Sequence, residues 1–350
     1  MSTRLTLSLD AMGGDNAPRM VVEGIDMATK GLPGVEFLLF GDEKQLRPLL
    51  DEFTNARAVS HIRHTDDMVA NEESAGYALR SGRNSSMRLA INAVKNDEAA
   101  GVISAGNTGA LMAMAKFVLK TLPGISRPAI AAVFPTMRGE SIMLDLGANV
   151  ECGVDNLVQF AVMGEVYARN ALGLKQPTIG LLNIGEEDMK GNEAVKGAAA
   201  ILQKISLPIK FHGFIEGDDI AAGTVDVVVT DGFTGNIALK TAEGMVKMMA
   251  HFMKKALMES PVSRLGALLA RPALKRLQRH FDPRLHNGAI FLGLDGICVK
   301  SHGGTDGLGF ASAIKVAVKL INDNLNDGIK EDLACLETDR QGVQGAATSG

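Results

Sequence analysis

The sequence predicts an α/β fold, a three-layer α/β/α sandwich around a largely parallel sheet. Short β-rich runs alternate with helix-length segments almost throughout the 350 residues, which is typical of strand–helix–strand units. Several of the runs are apolar at consecutive positions, as expected for strands that helices cover on both faces. A hydrophobic content of 46% is enough to fill a core of that size.

Eleven runs carry the strand pattern. In chain order they are TLSL, EFLLFG, AVSHIRH, GVISA, AIAAVF, SIMLD, TIGLLN, IKFHGF, DVVVTD, AIFLG and ICVKS. We expect a single α/β/α domain over residues 1–335, with a helical protrusion over residues 240–286. Residues 336–350 are polar, small and without periodicity, so we expect a disordered tail there.

Six of the loops that follow predicted strands are rich in Gly, Asn and Asp. In α/β sheets ligands bind beyond the carboxyl ends of the strands, and each of these loops precedes a plausible helix start. If the strands are neighbours, several helix N-termini with free N–H groups converge on one cleft, which favours an anion. Ordinary turn chemistry is the alternative for any single loop. The loops cover residues 9–18, 104–110, 144–153, 183–193, 230–240 and 300–307.

Composition argues against several classes of function. The net charge of -4, the isoelectric point near 6.0 and the absence of tryptophan disfavour a nucleic-acid partner. The three cysteines, Cys152, Cys298 and Cys335, form no CxxC pair, so neither a disulfide framework nor a zinc site is indicated. A reducing cytoplasm fits this usage. No Walker A loop or helix-opening GxGxxG is present, and no segment is long and apolar enough to span a membrane.

A different pattern begins after Asn236. Ser260 and Pro261 are typical of the N-cap and first residue of a helix, which we expect to end near Pro272. In the helical segment before it, a stripe at spacings of three and four indicates a core or a subunit interface, and we expect the interface. The stripe consists of Met245, Met248, Met249, Phe252 and Met253.

The helix after Pro261 is basic and carries leucines. Residues 254–284 hold eight Lys or Arg and two acidic residues, a local charge of +6. Leu265, Leu268 and Leu269 lie together on it, which predicts contact with anionic lipid or an acidic protein. The alternative is a solvated charged face around a buried leucine stripe. Three leucines support only reversible, peripheral attachment to a membrane.

Six segments resemble the signatures of the bacterial phosphate acyltransferases, in order, from about residue 5 to about residue 326. They are LDAMGGDNAP, SAGNTGA, LDLGANV, GLLNIGEEDMKGNE, VVVTDGFTGNIALKTAEG and GAIFLGLDGICVKSHG. The resemblance implies an acyltransferase that moves a long-chain fatty acyl group from acyl carrier protein to inorganic phosphate. The product would be acyl phosphate for phospholipid synthesis. It also implies a fold akin to those of phosphotransacetylases and the isocitrate dehydrogenase group.

The resemblance further implies how the protein assembles and where it acts. We expect from it a homodimer with protruding helices that touch the membrane, and a cytoplasmic, peripherally membrane-associated location. The implied partners are acyl carrier protein, inorganic phosphate, anionic membrane and the downstream membrane glycerol-phosphate acyltransferase. No metal and no nucleotide cofactor is implied. The lysine and asparagine thought critical in the family fall on Lys190 and Asn236.

Acyl transfer to phosphate needs few groups from the protein. Phosphate already has ionised oxygens at neutral pH, so it attacks a thioester without an enzyme nucleophile, and no GxSxG or Cys-His signature is present. Lys190 can hold phosphate or the developing oxyanion as a point charge, and Asn236 can donate an amide N–H. Glu186, Glu187 and Asp188 either hold Lys190 in place or lie in solvent.

Four further residues are candidates for phosphate binding. Gly13 and Gly14 let the backbone approach an anion closely, while Asn107 and Thr108 offer neutral donors at a helix start. A turn that needs positive φ is the alternative for each glycine. His302 could protonate the leaving thiolate, but a lone histidine is more often structural, and we leave it out of the catalytic set.

Two other functions fit parts of the sequence. A metal- and nucleotide-dependent dehydrogenase of the related fold needs an aspartate cluster and a dinucleotide site. The paired aspartates at 66–67 and 218–219 give that function weak support, since neither pair matches a metal-binding spacing. A non-catalytic membrane scaffold built on the basic helices would leave the six polar loops unexplained.

Overall fold

The computed structural model describes the backbone of residues 5–205 and 209–348, and the side chains of these residues except 337 and 339–348. All eleven predicted strands form, and they pair into one sheet. They are β1 (Leu5–Asp10), β2 (Val35–Gly41), β3 (Ser60–His64), β4 (Gly101–Ser104), β5 (Ala129–Thr136), β6 (Gly139–Leu144), β7 (Thr178–Leu182), β8 (Lys210–Ile215), β9 (Val227–Val229), β10 (Ala289–Leu292) and β11 (Ile297–Lys300).

Helices separate most of the strands. In chain order they are α1 (Arg19–Thr29), α2 (Glu43–Glu52), α3 (Thr54–Val59), α4 (Ala75–Ser81), α5 (Ser86–Lys95), α6 (Thr108–Leu119), α7 (Val154–Leu172), α8 (Glu193–Leu202), α9 (Gly217–Ala222), α10 (Gly232–Met258), α11 (Pro261–His280), α12 (Gly307–Asn322) and α13 (Leu325–Thr348). The alternation that the sequence predicted is therefore confirmed.

The strand order across the sheet is β3-β2-β1-β4-β11-β10-β5-β6-β9-β7-β8. Pairing is parallel everywhere except where β10 meets β11, β10 meets β5 and β5 meets β6. The largely parallel sheet is thus confirmed. Long crossovers through helices connect the parallel strands, as parallel pairing requires.

Strand direction divides the six polar loops. The hairpin between β5 and β6 reverses the chain, so β6, β9 and β7 run opposite to β1, β4 and β11. The loops after β1, β4 and β11 (residues 9–18, 104–110 and 300–307) form a first loop group. The loops after β6, β7 and β9 (residues 144–153, 183–193 and 230–240) form a second loop group. The two loop groups therefore follow strands that run in opposite directions.

Helices pack on both faces of the sheet. Alternate residues of a strand point to opposite faces, and Leu39 belongs to one buried apolar cluster while Phe40 belongs to the other. The first cluster joins the sheet to helices that include α1, α7, α8, α12 and α13, with Phe160 and Phe310 fully buried. The second joins it to α4, α5 and α6. These two layers with the sheet between them give the predicted α/β/α sandwich.

The helices α10 and α11, which cover most of the predicted protrusion, bury few of their residues. Ser260 caps α11 by accepting the N–H of Ser263 at 3.1 Å, as predicted. The helix does not end near Pro272 but continues through it to His280, so that expectation is wrong. A proline removes one backbone hydrogen bond, and here the flanking turns continue the helix. No residue of α11 is buried.

The C-terminal helix differs from the sequence-based expectation. Leu325, Ile329, Leu333 and Leu336 are buried at helical spacing and bring α13 against the core. The backbone then remains helical to Thr348, where the sequence predicted a disordered tail from residue 336. No proline interrupts this stretch, so nothing in the sequence forces the helix to stop. Residues 349–350 lie outside the described part of the chain.

Each of the described helices is too short or too polar to cross a bilayer.

Candidate active site

A buried carboxylate organises the loop that follows β6. Asp145 is fully buried and accepts the backbone N–H groups of Ile130 at 2.9 Å, Ala148 at 3.0 Å and Asn149 at 2.8 Å. Burial raises the pKa of this carboxyl, and the N–H donors oppose that shift. The loop over residues 144–153 is therefore held by a single side chain at the end of β6.

The N-terminus of α10 is built onto the same loop. Asp231 caps the helix by accepting the N–H of Thr234 at 2.8 Å. The next residue, Gly232, donates its N–H to the carbonyl oxygen of Asn149 at 2.8 Å. A Cβ atom at Gly232 would lie 2.5 Å from that same oxygen, so only glycine permits this approach. The loops after β6 and β9 thus form one packed unit.

Asn236 lies in the second turn of α10 with its side chain exposed. It faces the loop after β6: its Oδ1 atom is 3.7 Å from the position that a Cβ of Gly147 would occupy. Gly147 has φ of +116°, a conformation that residues with a side chain rarely adopt. The amide of Asn236 is therefore supported by the backbone of Gly147 and remains open to solvent.

Lys190 lies in the loop between β7 and α8. The side-chain amide of Asn183 donates to the carbonyl oxygens of Gly185 at 3.1 Å and Lys190 at 3.2 Å, which closes this loop. The Nζ atom of Lys190 is 3.9 Å from Glu187, and 48% of the lysine side chain is exposed. Asn192 caps α8, so Lys190 precedes the helix by three residues and does not lie at its first turn.

The acidic residues beside Lys190 separate into two roles. Glu187 forms the ion pair with Lys190, whereas Glu186 and Asp188 are exposed. Since exposed ion pairs contribute little to stability, the pair orients Lys190 only weakly.

Topology brings Lys190 and Asn236 to the same edge of the sheet. Their loops follow β7 and β9, which are paired in parallel with Leu181 opposite Val229. No hydrogen bond or ion pair within the described residues joins the two side chains. Both side chains are exposed, so each can contact a ligand from solvent.

A second buried carboxylate organises the first loop group. Asp10, the last residue of β1, accepts the hydroxyls of Ser86 and Ser104 at 2.6 Å each. It also accepts the N–H of Gly13, and burial raises its pKa against these donors. A Cβ atom at Gly13 would lie 2.3 Å from the Asp10 carboxylate. The glycine is therefore required by packing against Asp10, and its N–H is already engaged.

Gly14 also has a structural reason to be glycine. Its φ is +109°, and a Cβ atom there would lie 2.5 Å from the methyl carbon of Met20 and 3.0 Å from the Cβ of Ala105. The positive-φ turn that the sequence left open as an alternative accounts for Gly14, whereas Gly13 is required by its packing against Asp10.

Asn107 caps α6. Its Oδ1 atom accepts the N–H of Ala110 at 3.0 Å, and its amide nitrogen donates to the carbonyl oxygens of Asn71 at 2.7 Å and Glu73 at 3.0 Å. Both donor hydrogens of the side chain are thus used inside the protein. Thr108, the first residue of α6, is exposed and can offer its hydroxyl and N–H to a ligand.

Sequence reasoning missed Lys300, the last residue of β11. Its Nζ atom donates to the carbonyl oxygens of Ala105, at 3.3 Å, and of Ser301. Burial lowers the pKa of Lys300 to about 8, although the charges of Asp10 and Asp15 oppose the shift. The sequence did hold a signal for Lys300, because it directly follows the apolar run ICV. A charged residue is unusual in a buried strand.

His302 links the two loop groups electrostatically. Partial burial lowers its pKa, and the charges of Lys240 and Lys300 lower it further. Lys240 lies on α10, which begins in the second loop group, whereas His302 belongs to the first. The helix therefore passes close enough to the first loop group for its charges to act there.

Cys152 is not suited to nucleophilic catalysis. Its thiol is half-buried, and burial together with the charge of Asp145 raises its pKa to about 11. The thiolate is the reactive form of cysteine, and it is scarce at neutral pH when the pKa is that high.

Of the paired aspartates considered for a metal, Asp219 has a structural role. Asp219 accepts the hydroxyl of Thr224 at 2.6 Å and the N–H of Glu216 at 2.9 Å, which fixes the ends of α9. Asp66 belongs to a cluster with His64 and Asp42 whose ligand atoms lie within 4.8 Å of one another. Asp42 caps α2, and Asp66 and His64 are exposed on the surface.

Comparison with known proteins decides which family these loops belong to. Residues 5–327 match the model of the family described as fatty acid synthesis protein. The chain is 60% identical over 337 residues to the phosphate acyltransferase of Rhodospirillum centenum, covering 96% of this chain and 95% of that protein. It is also 60% identical over 332 residues to the phosphate acyltransferase of Paramagnetospirillum magneticum, covering 95% of each. The chain belongs to the phosphate acyltransferase family.

Two solved structures illustrate which other proteins share this fold. A phosphotransacetylase from Streptococcus pyogenes superposes with a TM-score of 0.63 at 16% identity, covering 92% of this chain and 95% of that one. A 4-hydroxythreonine-4-phosphate dehydrogenase from Klebsiella pneumoniae gives 0.52 at 15% identity, covering 92% and 98%. These likenesses show the fold alone. They confirm the predicted relation to phosphotransacetylases and dehydrogenase-like folds.

As a member of the phosphate acyltransferase family the protein is an acyltransferase, as the sequence predicted. The family also supports acyl transfer that involves phosphate in the synthesis of fatty acids and phospholipids.

Proposed function

We propose that this protein transfers a long-chain fatty acyl group from acyl carrier protein to inorganic phosphate and releases acyl phosphate for phospholipid synthesis. Membership of the phosphate acyltransferase family supports the reaction class. The observation that carries the assignment of residues is the position of Lys190 and Asn236 after paired strands, both exposed at one edge of the sheet.

In this proposal a phosphate oxygen attacks the carbonyl carbon of the thioester. A C–O bond to phosphate forms, the carbonyl oxygen becomes an oxyanion, and the C–S bond then breaks to release the pantetheine thiolate. Lys190 and Asn236 stabilise the oxyanion with an ammonium charge and an amide N–H. No enzyme nucleophile is needed, which agrees with the high pKa of Cys152.

Phosphate binds in the first loop group in this proposal. Thr108 contributes its hydroxyl and the N–H at the start of α6, where the helix dipole favours an anion. Gly13, Gly14 and Asn107 shape the loops through their internal contacts, so we expect them to act on phosphate through that shape. The chemistry requires neither a metal nor a nucleotide cofactor.

We also propose that α10 and α11 carry the contacts with other surfaces. On α10 the methionine and phenylalanine stripe is exposed, with Met249 at 63% and Phe252 at 57%, which supports a homodimer interface there. On α11 Leu265, Leu268 and Leu269 are exposed at 60%, 62% and 76%. This exposure excludes the buried leucine stripe within the chain and supports peripheral association with anionic membrane.

Such contacts suit a cytoplasmic enzyme whose product is used at the membrane. Acyl phosphate would pass to the downstream membrane glycerol-phosphate acyltransferase, and acyl carrier protein would deliver the donor from the soluble phase.

The decisive experiment mixes purified protein, phosphate and a long-chain acyl-ACP and traps acyl phosphate with hydroxylamine. We expect phosphate-dependent formation of acyl hydroxamate together with release of free acyl carrier protein. Thioester loss that does not depend on phosphate would overturn the proposal. Reduction of a nicotinamide cofactor, abolished by EDTA, would favour the dehydrogenase alternative instead.

A further inference from the structure

Lys300 is a partly buried cation without a carboxylate partner among the described residues. Its Nζ atom donates to two carbonyl oxygens, those of Ala105 and Ser301. An ammonium group has three N–H donors. Two are used by the protein, so one is left for a ligand.

The acidic groups near Lys300 are engaged elsewhere. Asp10 accepts two serine hydroxyls and the N–H of Gly13, and Asp15 accepts the side-chain amide of Asn71 at 2.9 Å. The charges of Asp10 and Asp15 raise the pKa of Lys300 against the effect of burial, which leaves it at about 8. The amine therefore keeps its proton at neutral pH without being neutralised in an ion pair.

Backbone donors lie close by in the chain. Ala105, which anchors the Lys300 amine, is three residues before the first residue of α6. In the first turn of that helix the N–H of Ala110 is taken by Asn107. The N–H groups of Thr108 and Gly109 have no partner among the described residues, as expected for the first residues of a helix.

We propose that Lys300 binds the orthophosphate substrate, with the N–H groups of Thr108 and Gly109 completing the subsite. An anion with several acceptor oxygens matches one ammonium and two backbone donors. The two carbonyl contacts hold the amine in place before phosphate arrives, so little side-chain freedom is lost on binding. This inference rests on the proposed function and adds to it a residue that touches the substrate.

The test compares Lys300→Met and Lys300→Arg with the wild type, and Lys315→Met serves as the control. Lys315 is exposed on α12, outside both loop groups. We expect Lys300→Met to raise the KM for phosphate by about 10- to 100-fold, the usual effect of losing a charged hydrogen bond. The KM for acyl-ACP should stay unchanged. The phosphate KM of Lys300→Arg should lie between those of the wild type and Lys300→Met. The phosphate KM of Lys315→Met should match that of the wild type.

Direct binding separates this inference from the proposed function. Inorganic phosphate should raise the Tm of the wild type and of Lys315→Met but not that of Lys300→Met, whether or not acyl phosphate is made. If the wild type makes no acyl phosphate, the proposed function is refuted. The phosphate-dependent rise in Tm would still show that Lys300 binds phosphate. A normal phosphate KM and a normal Tm rise in Lys300→Met would refute the role of Lys300 alone.

A measurement on the wild-type protein covers the case in which Lys300→Met does not fold. Acetic anhydride modifies the deprotonated amine, and mass spectrometry follows the acetylation of Lys300 and Lys315 separately. Inorganic phosphate should slow the modification of Lys300 severalfold relative to chloride at equal ionic strength, without affecting Lys315. Equal rates for Lys300 in both salts would contradict the proposal.

Discussion

Asn236 packs against Gly147, so that a Cβ atom at Gly147 would lie 3.5 Å from the Cβ of Asn236. The two residues come from loops that follow the paired strands β9 and β6. Gly147 in turn lies in the loop that the buried carboxylate of Asp145 holds through three backbone N–H groups. The Asn236 side chain therefore lies beside a loop from the neighbouring strand that Asp145 holds by hydrogen bonds.

Changing Asn236 to Ala removes one proposed donor to the oxyanion. We expect turnover to fall by about 10²-fold, the usual loss for a single oxyanion donor, with little change in the free energy of unfolding because the side chain is exposed. Hydroxylamine trapping of acyl phosphate measures the rate. Asn55→Ala on α3, where the side chain is also exposed, is the control and should be fully active. Near-normal turnover in Asn236→Ala would remove this residue from the mechanism.

Replacing Lys190 by Ala removes the charge on the other side of the proposed site. We expect a loss of at least about 10²-fold in turnover, because an ammonium donor stabilises an oxyanion at least as well as a neutral amide. Lys190→Arg should recover part of the activity. Lys175→Ala provides a matched control, since Lys175 is an exposed lysine just before β7. If Lys190→Ala and Lys175→Ala have the same kinetics, Lys190 has no role in the reaction.

Gly147→Ala tests the support of Asn236. The φ of +116° at Gly147 is strained for alanine, so we expect a loss of about 1–3 kcal/mol in the free energy of unfolding and a fall in turnover. Urea unfolding and the acyl phosphate assay measure the two effects. Gly217→Ala is the control, because Gly217 has open space around its Cβ position and no positive φ. A stable Gly147→Ala protein with normal turnover would show that this contact does not position Asn236.

The sequence was sufficient to predict the strands but not their directions. Each strand is an apolar run bounded by turn residues, and that local pattern predicted all eleven. The reversal at β5 and β6 divided the six loops into two groups, which hydrophobic patterning cannot reveal. A signal was nevertheless present: only Met137 and Arg138 separate the two strands. Parallel strands need a crossover of a dozen or more residues, so this short connection requires a hairpin.

The candidate site could be predicted only in part, because some of its contacts join residues that are far apart in the sequence. Lys190 and Asn236 lie in loops that motif reading finds directly, and the structure places both at one edge of the sheet. The amide of Asn107 donates to a residue far away in the sequence, Asn71, and the N–H of Gly13 is accepted by the buried carboxylate of Asp10. Sequence alone could not show that these donors are engaged. The same holds for Lys300, whose contacts depend on the pairing of β11 with β4.

Cys152 should prove dispensable for the reaction. Its pKa of about 11 means that the thiolate forms only as the pH rises towards that value, so the thiol is largely unreactive at neutral pH. We expect Cys152→Ser to retain turnover close to that of the wild type. We also expect DTNB to react with the exposed Cys335 well before Cys152, and the buried Cys298 should react only on unfolding. Rapid modification of Cys152 that abolishes activity would contradict this expectation.

The leucines of α11 give the prediction that concerns the membrane. Leu265 and Leu268 are 60% and 62% exposed, so their change to Glu removes apolar surface and adds negative charge without disturbing a core. Each leucine contributes about 1.5–3 kcal/mol when fully buried, so the double variant should bind anionic vesicles on the order of 100-fold more weakly. Sedimentation with vesicles that contain an anionic phospholipid measures the binding.

The acyl phosphate assay without lipid separates this effect from damage to the enzyme. We expect the double variant to keep its turnover in solution, because α11 has no buried residue and lies outside both loop groups. Met137→Glu is the matched control: Met137 is 81% exposed in the turn between β5 and β6, and its change should leave vesicle binding intact. If the leucine variant and the control sediment alike, the leucines face something other than lipid. The homodimer interface would then be the place to look for their contacts, because α11 contacts α10, whose apolar stripe is also exposed.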